Sequence, residues 1–215
     1  MTRIPVTRIL IVDDHELLRR GLRSILSGAF PDPLLVEAAD AVQALAVLEK
    51  QVCDVALVDI NLPGRGGLEL LQDLRRLYPK MPVIVLSMFP ERDYGLRAFK
   101  LGACGYVTKQ SAEAELLWAV RKALTGGRYV TPSLAEAFAA QLAGQAPEAP
   151  HETLSNRELQ VLRMVAQGKS LKEIAAELAL SEKTIGTYRT RISQKLGLGT
   201  NVELARYAER HKLVD

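Results

Sequence analysis

The sequence predicts a doubly wound α/β domain on a five-stranded parallel sheet, followed by a small all-α domain of four helices. Three observations carry that prediction. Five short apolar runs alternate strictly with five stretches of helical spacing between Arg8 and about Arg128. A polar stretch rich in proline and alanine then interrupts the chain at 144–150. Beyond it the pattern is helical throughout, with three helix-start signals of one kind. Strict strand–helix alternation implies a parallel sheet covered on both faces.

The strand-like runs lie near 8–13, 34–38, 54–59, 82–87 and 105–108. Their continuous apolarity predicts burial on both faces. Helical spacing is marked by Leu17/Leu18/Gly21/Leu22/Ile25, Ala41/Ala44/Leu45/Leu48, Leu68/Leu71/Leu74/Leu77, Tyr94/Ala98/Phe99/Leu101 and Leu116/Leu117/Val120/Leu124. Ser133 to Phe138 reads as a short alanine-rich helix, and Gly144 to Pro150 as an extended linker. The chain therefore divides into a first domain over 6–130, a helical and proline-rich linker over 131–152, and a second domain over 153–215. In that second domain Ser155–Glu158, Ser170–Glu173 and Thr200–Glu203 each place a hydroxyl three residues before a glutamate. That spacing is a capping box, which satisfies the free backbone donors of a helix start. Gly168 and Gly197 fall where helices end. Four helices follow, near 155–167, 170–178, 182–196 and 200–211.

Composition narrows the class. With 48% hydrophobic and 25% charged residues, the 215-residue chain can build real cores. No apolar stretch approaches the roughly 20 residues needed to cross a bilayer. The amino terminus lacks the apolar block of a secretory signal, so a cytoplasmic protein is expected. Cys53 and Cys104 have no metal-ligand spacing and read as small buried hydrophobes. From His151 onward there are 11 basic and 8 acidic residues, which accounts for the whole net charge of +3. A neutral first part and a mildly basic second part suggest that the second meets an anion.

The chemistry lies at the strand ends. The first run ends in Asp13-Asp14, the third in Asp59, the fourth in Ser87 and the fifth in Lys109. In a parallel sheet all five side chains gather on the carboxyl edge, where open α/β sheets bind ligands. Asp13, Asp14 and Asp59 are hard oxygen donors suited to Mg²⁺. Without a cation they would repel one another. A carboxylate can also accept a phosphoryl group as an acyl phosphate. Lys109 and Ser87 would pair with its anionic oxygens, because the transfer needs chiefly alignment and charge neutralisation.

Residues 8–128 resemble the receiver domain of bacterial two-component response regulators, the CheY-like fold. Asp13-Asp14, Asp59, Ser87 and Lys109 match the family's acidic pair, phosphoacceptor, switch hydroxyl and lysine. Asp59-Ile60-Asn61-Leu62-Pro63-Gly64 matches the loop after the phosphoacceptor, and Tyr106 the switch aromatic. Gln110 departs from the residue the family often carries after the lysine. The resemblance implies strand order 2-1-3-4-5. It also implies Mg²⁺ held by Asp14, Asp59 and the backbone carbonyl of Asn61, with Asp13 acting through water.

Leu171 to Leu196 reads as helix, tight turn, helix, with Ser181 able to cap the second. There Ile185, Ile192 and Leu196 share one face, while Lys183, Gly186, Thr187, Thr190 and Gln194 share another. Arg189, Arg191 and Lys195 flank that face. Small residues with basic flanks fit a major groove. Leu154–Glu158, Glu173-Ile174-Ala175, Leu180-Ser181, Thr184-Ile185 and Lys195-Leu196 resemble the LuxR-type helix-turn-helix. Receiver plus this module is similar to the NarL/FixJ class of transcription factors. The family usually carries lysine at the position of Gly186 and histidine at that of Tyr188. Thr187 and Thr190 are therefore the candidates for base contact. Lys172, Lys183, Thr184, Gly186, Arg189, Arg191 and Lys195 complete the expected DNA surface. The last helix, with Val202, Leu204, Ala205, Tyr207 and Ala208, resembles the one that pairs two such modules.

The predicted function is a phosphorylation-switched, DNA-binding transcriptional regulator. Its implied partners are a histidine kinase, promoter DNA, a second copy of the chain and RNA polymerase. An enzyme that turns over Asp59 is not expected, because position 61 holds Asn where a second carboxylate would be needed. A constitutive DNA-binding protein whose first domain only mediates assembly is the competing reading.

Overall fold

The computed structural model describes residues 7–111, 113–143, 150–211 and 213–214. The predicted extended linker lies outside them except for Pro150. Two compact units result, Met1–Leu142 and Ala143–Asp215.

In the first unit the runs rich in Val, Ile and Leu become five parallel strands. They are β1 (Arg8–Val12), β2 (Leu34–Ala38), β3 (Val55–Asp59), β4 (Val83–Ser87) and β5 (Gly105–Thr108). Their order is β2-β1-β3-β4-β5, as expected. Between and after them run α1 (Glu16–Ala29), α2 (Ala41–Lys50), α3 (Gly67–Leu77), α4 (Glu91–Lys100) and α5 (Glu113–Leu124). β3 and β4 are buried along their whole length. Side chains alternate across the sheet, so Ile9, Ile11, Leu57, Ile84, Leu86 and Val107 pack with Leu22 and Leu26 of α1 and with Leu116 and Val120 of α5. Each such side chain removed from water contributes about 1.5–3 kcal/mol.

Three expectations need correction. β2 lies at the sheet edge and is not fully buried: Leu34 is 42% exposed. Arg19 and Arg23 of α1 bridge to Glu37 of β2 at 3.0 and 2.6 Å, a charged cover that suits an edge strand. The inward stripe of α1 is Leu18, Leu22, Ile25 and Leu26, while Leu17 is 84% exposed and Gly21 is exposed. Cys53 is buried as expected, but Cys104 is half-buried.

The helix expected over 133–138 runs further, as α6 (Pro132–Leu142). Proline fits its first turn, where a missing N–H costs nothing, and Thr131 Oγ1 accepts from the Leu134 N–H at 3.2 Å. Leu134 is buried and abuts Gly95 of α4. The Phe138 ring meets Phe99 edge-on, with centroids 5.7 Å apart. Thr131 and Ser133 both hydrogen-bond Glu91. This segment is thus packed on the sheet unit.

The second unit begins with a 3₁₀ turn over Pro150–Thr153, then α7 (Asn156–Ala166), α8 (Leu171–Glu177), α9 (Glu182–Leu196) and α10 (Asn201–Arg210). All three predicted capping boxes form, at Ser155/Glu158, Ser170/Glu173 and Thr200/Glu203. Gly197 ends α9 at φ 68°, a left-handed conformation that glycine adopts without steric cost. Ile174, Ala175 and Leu178 are buried with Ile185, Ile192, Leu204 and Ala208. Leu196, expected among them, is half-buried. No helix among the described residues is long and apolar enough to cross a membrane.

Candidate functional site

Sheet register brings the predicted charged residues together. Asp59 pairs with Leu86, and Ser87 with Thr108, so Asp59 and Ser87 end β3 and β4 and Lys109 directly follows β5. The Lys109 N–H extends the ladder by donating to the Ser87 carbonyl at 2.7 Å. The Asp13 N–H does the same to Ala38 at 3.1 Å, fixing the end of β1. One close approach is essential to this arrangement. A Cβ at Gly67, where α3 starts, would overlap the Asp59 carbonyl oxygen and lie 2.9 Å from the Ile60 Cα.

Asp13 and Asp59 are buried, at 0% and 1% exposure, while Asp14 is exposed. The Lys109 ammonium lies 2.6 Å from Asp13 Oδ2 and 2.7 Å from Asp59 Oδ2. Burial pushes the Asp59 carboxyl above its usual range despite Lys109 and an N–H of Asn61. Burial opposes the charge on Lys109, but Asp59 and Asp13 outweigh it and hold its pKa above the ordinary value. Asp59 Oδ1 is buried with no hydrogen-bond partner among the described residues. An orphaned carboxylate oxygen beside two further aspartates is a donor set that fits a hard divalent cation. Asp13, Asp14, His15 and Asp59 each offer a donor atom within 4.8 Å of the others.

His15 was missed in the sequence. Its ring Nδ1 lies 2.7 Å from Asp14 Oδ1 and 3.2 Å from Asp13 Oδ1, and its backbone N–H donates to Asp13 Oδ1 at 2.8 Å. Its place directly after the acidic pair was the available signal. Arg19, also missed, donates to the Asp13 carbonyl at 2.7 Å.

Ser87 and Tyr106 meet at a common neighbour. Ser87 Oγ accepts from the Phe89 N–H at 2.9 Å, and the Tyr106 hydroxyl donates to the Phe89 carbonyl at 2.9 Å. Phe89 also packs its ring against Tyr94 of α4, with centroids 5.2 Å apart. Ser87, Tyr106 and α4 thus share residue 89 as a common contact.

In the second unit, α8 and α9 form the predicted helix-turn-helix. Ala179 takes a left-handed φ of 51° in the turn, and Ser181 Oγ accepts from the Thr184 N–H at 3.1 Å to start α9. Lys172, Lys183 and Arg191 are exposed and have no ion-pair partner among the described residues. Thr187 and Thr190 are exposed, and each hydroxyl donates back to the helix, to Lys183 O and Gly186 O at 3.0 Å. Thr184 and Gly186 are half-buried. Two of the predicted phosphate contacts are engaged inside the unit. Arg189 donates to Asn201 Oδ1 at 2.7 Å and to Gly199 O at 3.3 Å. Lys195 pairs with Glu158 at 2.6 Å and donates to Thr153 O at 3.2 Å.

Comparison with known proteins matches both units. The family described as "Response regulator receiver domain" matches residues 9–121, and "Bacterial regulatory proteins, luxR family" matches residues 152–208. The response regulator GacA of Pseudomonas aeruginosa is 35% identical over 209 residues, covering 97% of this chain and 98% of GacA. The response regulator UvrY of Escherichia coli is 35% identical over 206 residues, covering 95% and 94%. Among solved structures, RcsB from Salmonella enterica serovar Typhimurium, bound to promoter rprA with a phosphomimetic, is 27% identical with a TM-score of 0.65. It covers 95% of this chain and 99% of that one.

Proposed function

The chain belongs to the two-component response regulators with a receiver and a LuxR-type DNA-binding domain, and from that premise we propose that phosphorylation of Asp59 governs its binding to promoter DNA. Residues 6–130 would take the phosphoryl group and 153–215 would bind DNA, with 131–152 between them.

The observation that carries the reading is the buried Asp13–Lys109–Asp59 cluster with one carboxylate oxygen left unbonded. A carboxylate oxygen of Asp59 attacks phosphorus on a kinase phosphohistidine. The P–N bond breaks, its electron pair returns to the imidazole, and an acyl phosphate forms. The donor set suits Mg²⁺, which Asp13, Asp14, Asp59 and the Asn61 carbonyl would hold and which would supply charge neutralisation at the phosphoryl oxygens. Lys109 leaves its carboxylate partners to pair with those oxygens.

Ser87 then turns its hydroxyl from the Phe89 amide to the new phosphoryl group, and Tyr106 follows inward. A swing from 1:99 to 99:1 requires about 5.5 kcal/mol of preference for the active state. Phosphoryl contacts and pairing of two copies would share it. The dimer would place two copies of α9 in successive major grooves about one helical turn apart. Lys172, Lys183 and Arg191 suit phosphates, Thr187 and Thr190 base edges, and RNA polymerase would be met at the promoter. The setting is cytoplasmic, and turnover of a substrate forms no part of the reading.

Acetyl phosphate labelling of wild type and Asp59→Asn, with DNA binding measured in parallel, tests this. Label on wild type only, and tighter DNA binding only when labelled, are the expected results. A magnesium-loaded wild type that never takes label would end the reading.

A further inference from the structure

The opposite edge of the sheet carries a second concentration of charge. Thr7, Asp54, Pro82 and Cys104 immediately precede β1, β3, β4 and β5, and they line a cavity of about 520 Å³. Arg75 of α3, Lys80 and Arg128 converge on the same cavity. We propose that it is an anion site for an organic phosphate, independent of Asp59.

None of the three cations has an ion-pair partner among the described residues. The one carboxylate among the described lining residues, Asp54, already accepts from the Arg8 N–H at 2.7 Å. The wall thus carries three positive charges against one negative, and a concave surface focuses such a field. Arg75 is also held in place. Its Nη1 donates to the Met81 carbonyl at 3.3 Å. Its stem lies over Gly102, where a Cβ would come within 3.0 Å of both Cγ and Nε. Gly102 has φ 98°, so glycine satisfies both the backbone and the close approach. The remaining guanidinium donors are open, in the planar fork that matches phosphate oxygens. Pro82, Ala123 and Leu124 supply an apolar wall for the organic part. The volume falls within the range of small-molecule sites.

Titration of the ¹⁵N-labelled full chain with ADP, pyrophosphate and inorganic phosphate, without magnesium, tests this. ADP is expected to shift the amides of Gly102, Gly126 and Gly127 saturably. Lys80→Gln/Arg128→Gln, both exposed and so tolerated by the fold, should weaken binding at least tenfold. Arg75→Gln should weaken it further, and Asp59→Asn should leave it unchanged. Equal affinity for inorganic phosphate and ADP would overturn the organic part of the assignment. Shifts confined to Lys109 or to α8 and α9, or an unaltered affinity in the double variant, would overturn the site itself.

Discussion

The ammonium of Lys109 lies 2.7 Å from Oδ2 of Asp59, and the two are 50 residues apart in sequence. The same ammonium serves Asp13, so two buried carboxylates share one counter-charge. Burial holds the Asp59 carboxyl above its usual range, which means the fold disfavours its charge. Asp59→Asn, which removes a charge that burial disfavours and leaves Lys109 paired with Asp13, should therefore stabilise the receiver while abolishing phosphoryl uptake. A urea midpoint lower than that of wild type would contradict this.

Tyr106→Phe removes one hydrogen bond to the Phe89 carbonyl and should cost on the order of 1 kcal/mol. Uptake of label at Asp59 should persist, since the Tyr106 hydroxyl donates to the Phe89 carbonyl while the ammonium beside Asp59 is that of Lys109. The increase in DNA affinity on phosphorylation should shrink. Unchanged coupling, read by fluorescence anisotropy with and without beryllofluoride, would remove Tyr106 from the switch.

On α9 the arginines should separate by role. Arg191→Ala should reduce the slope of log affinity against log salt by about 1, leaving stability alone. Arg189→Ala removes bonds to Asn201 and Gly199 and should lower the melting temperature. Thr187→Ala and Thr190→Ala should each cost about 1–3 kcal/mol at a specific site and little on random DNA. Identical losses on both DNAs would argue against base contact.

Gly186 sits inside α9, and an added Cβ there meets nothing within 4 Å. Gly186→Ala should stabilise the second unit by nearly 1 kcal/mol, the helix penalty of glycine. Thermal unfolding of the full chain reads this directly, and a destabilised variant would show that the position is crowded.

Glu158 caps α7 and pairs with Lys195 at 2.6 Å. Burial opposes its charge, but Lys195 and Ser155 outweigh that and hold the carboxyl below its ordinary 4.5. A depressed folded pKa contributes stability that is present above 4.5 and lost as pH falls through the folded value. Glu158→Gln should lose stability at pH 7 and show a shallower decline as pH falls below 4.5. Parallel acid-unfolding curves would refute the linkage.

The strands and the carboxyl-edge cluster were legible because four of the five apolar runs end in an acid, a hydroxyl or a lysine, whereas the strand order followed from the resemblance to the receiver family. The caps of α7, α8 and α10 were legible as well, since Ser/Thr and Glu three residues apart act locally. The exposure of Leu34 was not, because edge position depends on strand order rather than on a run's own composition. Nor were the internal bonds of Arg189 and Lys195, which depend on where Asn201 and Glu158 lie in space. His15 was overlooked because an imidazole after two aspartates has no periodic signature.

Gly67 shows how a residue with no functional group can govern chemistry at the end of the preceding strand. Any side chain there must push the loop over 60–66 outward and carry the end of β3 with it. Such a change would leave the acids, hydroxyl and lysine intact in composition yet out of alignment. The chain would look fully armed in sequence and behave as inert, so integrity of the pocket is decided by a missing methyl group as much as by its charges.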